Sequence, residues 1–101
     1  MENAANEFLQ KGLLLLDRGD VAKGEAALRE AVMAAKMAHD LSTRVTASCA
    51  LGELLTELGR GSEARSFLED VAALTTGVDD RWAMESASAR ELLEKLDATP
   101  G

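Results

Sequence analysis

The sequence predicts an all-α fold of antiparallel helical hairpins stacked as a short solenoid, and three observations support it. The chain repeats itself at an offset of 40 residues, so that Gly12 matches Gly52 and Leu28 matches Leu68. Such self-similarity in an Ala- and Leu-rich chain is typical of helical repeats, in which no hairpin buries its apolar face alone. No window alternates Val, Ile, Tyr or Thr at period two, which argues against a sheet. A length of 101 residues indicates one domain, residues 1–101.

Five helices are predicted in antiparallel order. Apolar periodicity and helix breakers place them at about residues 4–17, 21–38, 41–58, 63–74 and 80–96. The first four form two repeats, at residues 4–38 and 41–75, and the fifth is a C-terminal capping helix followed by a tail at 97–101. The inward stripe of the second helix is predicted to consist of Ala27, Leu28, Ala31, Val32 and Ala35.

Helix ends are predicted from glycines and capping side chains. A left-handed conformation at Gly19 is expected to end the first helix, the third is expected to stop at Gly59, and Gly77 lies just beyond the expected end of the fourth. Side-chain caps are expected to begin the second, fourth and fifth helices, at Asp20, Ser62, and Asp79 or Asp80. Gly24, early in the second helix, is expected to be a packing contact.

Charge limits the kinds of partner. The chain holds 18 acidic and 11 basic side chains, and the excess lies in residues 45–101, which carry a net charge of −6 against −1 for residues 1–44. Nucleic acids and anionic lipids bind through neutralisation of their phosphates, so we expect neither as a partner. A basic peptide would suit the acidic half, and a merely solvated acidic face is the alternative.

Other features of the sequence predict a cytoplasmic location. Cys49 is the only cysteine, which excludes an intrachain disulfide and favours a reducing compartment. The N-terminal residues are acidic and lack an extended apolar core, unlike a signal peptide. The apolar run of residues 13–16 is too short to cross a bilayer.

The repeat resembles the tetratricopeptide repeat. In that family a glycine in helix A is followed after seven residues by a second glycine at the turn, then by an alanine, an aromatic residue or Leu, and a small residue in helix B. The second unit matches this pattern nearly completely, with Leu51, Gly52, Leu55, Leu58, Gly59, Ala64, Leu68 and Val71. The first unit matches it with Gly12, Leu15, Gly19, Gly24, Leu28 and Ala31.

Several positions depart from the common form of this family. Gly24 replaces the expected Ala, and Lys11 and Arg18 stand where apolar residues are usual. A third partial unit at residues 90–96 parallels residues 52–58, and this fits the solvating end helix that a solenoid needs. The spacing of 40 resembles a longer variant of the repeat, found in kinesin light chains and some bacterial regulators.

The resemblance implies a concave binding face on the A helices. By position, the expected partner-binding residues are Asn6, Leu9, Leu13, Leu16, Asp17, Thr46, Cys49, Glu53, Thr56, Glu57 and Glu91, and Met84, Ala87 and Glu94 are projected onto the same face. This face is apolar at the first helix and lined by carboxylates from Glu53 onward. It would suit an amphipathic helix or extended peptide with Leu or Phe anchors and Lys or Arg further along.

The first helix is apolar over most of its circumference. Leu9, Leu13, Leu14 and Leu16 add to the residues that suffice to pack it on the second helix. A helix of this kind is usually buried on two sides. We therefore expect it to contact either a second copy of this chain, giving a homodimer, or a different protein; the alternative is that the leucines turn inward.

Catalytic chemistry finds little support in the sequence. Residues 39–47 share His39, Asp40, Leu41 and Thr43 with the phosphoacceptor box of histidine kinases, but Ser42 and Arg44 replace its basic residue and proline. One His and one Cys cannot form a zinc site, and no cofactor or metal is expected. Cys49 is expected to be a small packing residue.

The resemblance therefore implies a non-catalytic adaptor or scaffold that binds a peptide or helix of a partner protein. Two other classes stay open at this point. One is a phosphotransfer domain that uses His39, and the other is a purely structural oligomerisation module.

Overall fold

The computed structural model describes residues 4–76 and 80–98, and all regular structure in these ranges is helical, which confirms the all-α prediction. The helices are α1 (Ala4–Asp17), α2 (Val21–Ala38), α3 (Leu41–Glu57), α4 (Gly61–Thr75) and α5 (Ala83–Ala98), with a 3₁₀ turn at Asp80–Trp82 before α5. The bounds of α1 and α2 agree with those predicted.

The chain divides into two compact units, residues 1–47 and residues 48–101, and the boundary falls within α3. In the first unit α1 packs along α2, and in the second α4 packs against α5. The fully buried large side chains are Leu28 and Val45 in the first unit, and Leu51, Leu55, Leu68 and Val71 in the second. All five residues of the predicted α2 stripe are buried.

In the first unit, two glycines allow α1 and α2 to approach closely. A Cβ atom on Gly12 would lie 2.9 Å from Leu28 Cδ2, and one on Gly24 would lie 2.7 Å from Leu16 Cδ2. Both distances are shorter than a carbon–carbon contact allows. Gly24 is therefore the packing contact that the sequence predicts.

The second unit repeats this contact 40 residues later. A Cβ atom on Gly52 would clash with Leu68 Cδ2 and lie 2.7 Å from its Cγ, just as one on Gly12 would meet Leu28. The repeat seen in the sequence is therefore a repeat of helix packing.

Three joints with the same backbone geometry, spaced 20 residues apart, follow α1, α2 and α3. We call residues 18–20 joint one, residues 39–40 joint two and residues 58–60 joint three. A left-handed residue follows each helix, namely Gly19 (φ 87°), His39 (φ 56°) and Gly59 (φ 76°). The left-handed conformation predicted for Gly19 is thus confirmed, and α3 ends just before Gly59, close to the predicted position.

The hydrogen bonds of the three joints also match. The amides of the left-handed residues donate to Leu16, Lys36 and Thr56, and the next amides donate to Leu15, Ala35 and Leu55. Asp20 caps α2 by accepting the amide hydrogen of Lys23, and Asp40 accepts that of Thr43 in the same way at α3.

Some predicted helix ends need correction. Ser62 does not cap α4, because the helix begins at Gly61 and Arg60 occupies the N-cap without a side-chain cap bond. Arg60 instead forms a salt bridge with Glu63, with Nε 2.7 Å from Oε2. α5 continues to Ala98, so residues 97 and 98 are helical and not part of a tail. The predicted roles of Gly77 and Asp79 lie outside the described residues.

Candidate partner-binding site

An acidic cavity lies between α3 and α5 in the second unit. It has a volume of about 220 Å³ and is lined by Glu53, Thr56, Glu57, Ser88, Glu91, Leu92 and Lys95. We call it the acidic cavity. Thr56 and Glu57 follow Glu53 by three and four positions on α3, so both lie beside it on that helix.

Glu53 is held in place by a side chain from α5. Ser88 Oγ donates a hydrogen bond to Glu53 Oε1 at 3.0 Å, across 35 residues of sequence. Cys49 Sγ, one turn earlier on α3, lies 3.8 Å from the same oxygen. The second carboxylate oxygen of Glu53 takes no part in either bond and is free to accept from a ligand within the cavity.

The cation of Lys95 offsets only part of this acidic charge. Lys95 Nζ lies 3.6 Å from Glu91 Oε1, and both side chains are largely exposed. Ion pairs of this kind are weak in water and open readily. Thr56 Oγ1 donates to the carbonyl oxygen of Gly52 at 2.7 Å, which leaves its lone pairs for a donor from outside. A basic side chain could therefore replace Lys95 beside Glu91.

The pKa of the Cys49 thiol is raised by its burial and by the acidic side chains around it. Burial, followed by the negative charges of Glu53 and Glu85, raises the pKa of Cys49 from 9.0 to about 11. The thiol therefore stays protonated at neutral pH. Since the thiolate is the reactive form of cysteine, this environment suppresses nucleophilic chemistry at Cys49.

The structure brings four of the expected partner-binding residues to the acidic cavity, namely Glu53, Thr56, Glu57 and Glu91. Cys49 is buried beside Glu53 and offers little surface. Sequence reasoning missed Ser88, Leu92 and Lys95, all on α5. Met84, Ala87 and Glu94 are exposed on the same helix but do not line the cavity.

A second, wider cavity adjoins the acidic cavity in the same unit. It has a volume of about 460 Å³ and is lined by Thr56, Gly59, Gly61, Ser62, Arg65, Lys95 and Leu96. The two cavities share Thr56 and Lys95. Arg65 on its wall pairs with Asp97 at 2.7 Å.

The expected binding residues of the first unit are placed unevenly. Asn6, Leu13 and Asp17 are exposed, and Thr46 is half-buried. Leu9 is only 5% exposed, so its assignment to an open binding face needs correction. Leu16 is half-buried, and the space above Gly24 is filled by its side chain. These two leucines therefore follow the alternative in which they turn inward.

Exposed apolar surface remains on α1. Leu13 is 39% exposed and Leu14 is 49% exposed. A shallow concavity of about 480 Å³ lies between α1 and α2, lined by Phe8, Lys11, Leu15, Lys23, Ala26, Ala27 and Glu30. Of the four extra leucines predicted for the first helix, Leu13 and Leu14 thus remain exposed, whereas Leu9 and Leu16 turn inward.

His39 lies at the C-cap of α2 in the left-handed conformation, with its side chain exposed. A phosphoacceptor histidine of the kind considered above would stand in the middle of a helix. The structure places this side chain at the joint that the sequence predicts.

Within residues 4–76 and 80–98, no group of three or more His, Cys, Asp or Glu side chains is arranged to hold a metal ion. None of the helices described is both long and apolar enough to cross a membrane. Comparison of the chain with protein-family models, with curated proteins and with solved structures gave no match.

Proposed function

We propose that the chain is a non-catalytic binding module that holds a basic segment of a partner protein in the acidic cavity. The observation that carries this proposal is the Glu53 carboxylate, which α3 presents and Ser88 of α5 orients. A carboxylate fixed in this way loses little side-chain entropy on binding a cation, which favours a Lys or Arg side chain.

The surroundings of Glu53 support the same partner. Glu57 and Glu91 line the cavity with it, and Leu92 adds an apolar wall against which the methylene stem of a Lys or Arg can pack. The adjoining cavity beside Arg65 would receive the neighbouring residues of the segment. An extended or helical peptide with one basic anchor fits this arrangement.

The tetratricopeptide likeness enters this proposal as a resemblance of sequence pattern. It is supported by the Gly12–Leu28 and Gly52–Leu68 contacts, which recur at the repeat offset. An adaptor or scaffold role would follow from it, with modest affinity because two hairpins present a short surface.

Selection of peptides from a random display library tests the proposal and requires no assumption about which protein the partner is. The wild-type chain should enrich peptides that contain Lys or Arg. The triple variant Glu53→Gln, Glu57→Gln, Glu91→Gln should lose this enrichment. A matched variant with the same change in net charge, Glu7→Gln, Glu69→Gln, Glu94→Gln, should retain it, since these exposed acids lie outside the cavity. Enrichment of peptides without basic residues would contradict the proposal.

We also propose that two copies of the chain associate through α1, on a surface distinct from the acidic cavity. The rim of the α1–α2 concavity carries both signs of charge, with Lys11 and Lys23 against Glu30. Charges of both signs allow Glu30 of one copy to pair with a lysine of another across a two-fold interface between identical chains. Leu13 and Leu14 do not line this concavity, but both are exposed on α1 and would supply further apolar contact area.

A further inference from the structure

Joint two differs from the other joints in its side chains but not in its backbone. The amide of Arg44 donates to the carbonyl oxygen of Asp40 at 3.1 Å. The equivalent bonds at joints one and three join Gly24 to Asp20 and Ala64 to Arg60, at 2.9 and 3.0 Å. The three joints therefore share one backbone conformation although their residues differ.

Three positions that are uncharged at joints one and three carry basic or imidazole side chains at joint two. Lys36, His39 and Arg44 stand where joint one has Leu16, Gly19 and Gly24, and where joint three has Thr56, Gly59 and Ala64. The fold itself does not require these side chains, because the other two joints form without them.

His39 is in fact unfavourable for the joint. Its φ of 56° lies in the left-handed region, where a side chain is strained and glycine is not. Glycine occupies this position in both of the other joints. A residue that strains its own backbone is a reason to look for a role of its side chain.

The three side chains lie around one cavity. It has a volume of about 190 Å³ and is lined by Ala35, Lys36, His39, Asp40, Leu41 and Arg44. Asp40 is the single acid among them, and its carboxylate serves as the cap of α3, as Asp20 does for α2. The cavity therefore combines two basic side chains and an imidazole with one carboxylate, in a chain whose net charge is −7.

From this juxtaposition we propose that the joint-two cavity binds a phosphate group. Arg44 offers the planar fork that matches two phosphate oxygens, and Lys36 offers a point charge. The imidazole of His39 donates a hydrogen bond from a ring nitrogen whether neutral or protonated. Together these donors suit a tetrahedral oxyanion, and Ala35 and Leu41 add apolar lining to the cavity.

The proposal is independent of the acidic cavity. The joint-two cavity lies within residues 35–44 of the first unit and attracts ligands of the opposite charge. Failure of either site in an experiment would leave the other untouched.

Titration of the full-length, ¹⁵N-labelled chain with inorganic phosphate, at neutral pH and constant ionic strength, tests the site. Amide signals of residues 35–44 should shift and saturate. The triple variant Lys36→Thr, His39→Gly, Arg44→Ala carries the residues of joint three, so it should fold normally and weaken binding by about tenfold or more. The control variant Lys11→Thr, Arg18→Ala removes two exposed cations elsewhere and should bind like the wild type.

Two outcomes would overturn the proposal. One is a shift that rises linearly without saturation, and the other is an equal loss of binding in the control. Arg44→Lys keeps the charge and should still bind more weakly than the wild type, since it lacks the fork. A phosphoserine peptide then distinguishes the source of the ligand: tighter binding than that of inorganic phosphate indicates a phosphorylated protein segment, and weaker binding indicates free phosphate.

Discussion

The carbonyl oxygen of Gly24 lies 3.2 Å from the point that a Cβ atom on Gly12 would occupy, and the carbonyl oxygen of Gly12 lies 3.2 Å from the equivalent point on Gly24. The two glycines thus face each other where α1 crosses α2. Neither helix can shift to accommodate a side chain on the other without moving backbone atoms.

Gly12→Ala should therefore destabilise the chain, by about 2 kcal/mol, although alanine favours helix formation. The added methyl group would meet Leu28, which is fully buried and cannot turn away. Chemical denaturation of the variant and the wild type measures the change. In a double-mutant cycle with Leu28→Ala, the two changes should be less destabilising together than their sum.

Gly24→Ala separates the pattern of the sequence from the packing of the structure. Ala64 holds the equivalent position of the second repeat, so the repeat pattern alone predicts that alanine would be harmless or stabilising. The close approach of the Gly12 carbonyl oxygen instead predicts a loss of about 1 kcal/mol. A rise in melting temperature would contradict this account of the α1–α2 crossing.

The sequence predicted much of this fold because local signals determine it. Apolar periodicity located all five helices, and the positive φ required after a helix explains why Gly19 and Gly59 could be identified in advance. The same signals misplaced the cap of α4, because an Arg at the N-cap is uncommon.

The candidate site was predictable only in part, for a physical reason. Helical spacing on α3 indicated that Glu53, Thr56 and Glu57 share a face, and this was enough to name them. The Ser88–Glu53 hydrogen bond spans 35 residues, and no periodicity predicts a contact between separate helices. The burial of Leu9 was not predicted for a similar reason. Several faces of α1 are apolar, and the sequence does not show which of them packs against the rest of the chain.

His39→Gly should stabilise the fold by about 0.5–1 kcal/mol, because it removes a left-handed side chain from the C-cap of α2. The gain is partly offset by the greater freedom of glycine in the unfolded chain. Thermal unfolding of the two proteins checks this. Gly59→Ala, the reverse change at joint three, should lower the free energy of unfolding by about 1 kcal/mol. Nothing lies within 4 Å of the added methyl group, so the loss would come from the backbone conformation and not from a steric clash.

Cys49 should make stability depend on pH in the alkaline range. Its pKa is raised in the folded state, from 9.0 to about 11, so the folded chain retains a proton that the unfolded chain releases. The contribution of the protonated thiol to the free energy of unfolding is thus fully present below pH 9. As the pH rises toward 11, the free energy of unfolding falls by about 2 kcal/mol.

The difference between the wild type and Cys49→Ala isolates this effect from the titration of other groups. The stability of the wild type relative to that of Cys49→Ala, measured by denaturant titration, should fall as the pH rises from 9 to 11. Parallel curves would contradict the shift. In Glu53→Gln the thiol should also react faster with an alkylating agent near pH 9, since one negative neighbour has been removed.

Self-association through α1 should depend on its exposed leucines. Sedimentation equilibrium of the wild type should show a monomer–dimer exchange, and Leu13→Gln with Leu14→Gln should shift it toward monomer. Both side chains are partly exposed, so helicity should be retained. Met84→Gln on α5 is a control that also replaces an exposed apolar side chain and should leave the exchange unchanged. A wild-type chain that remains monomeric would rule out this use of α1.

The central claim is that Glu53, oriented by Ser88, anchors a basic side chain of a partner. Calorimetric titration with a peptide selected on the wild-type chain tests it most directly. Binding should weaken about tenfold in Glu53→Gln and by a smaller factor in Ser88→Ala, and it should be unchanged in Glu94→Gln, which removes an acid of α5 outside the cavity. Equal affinities for Glu53→Gln and Glu94→Gln would show that net charge alone attracts the peptide, and would contradict the acidic cavity as its binding site.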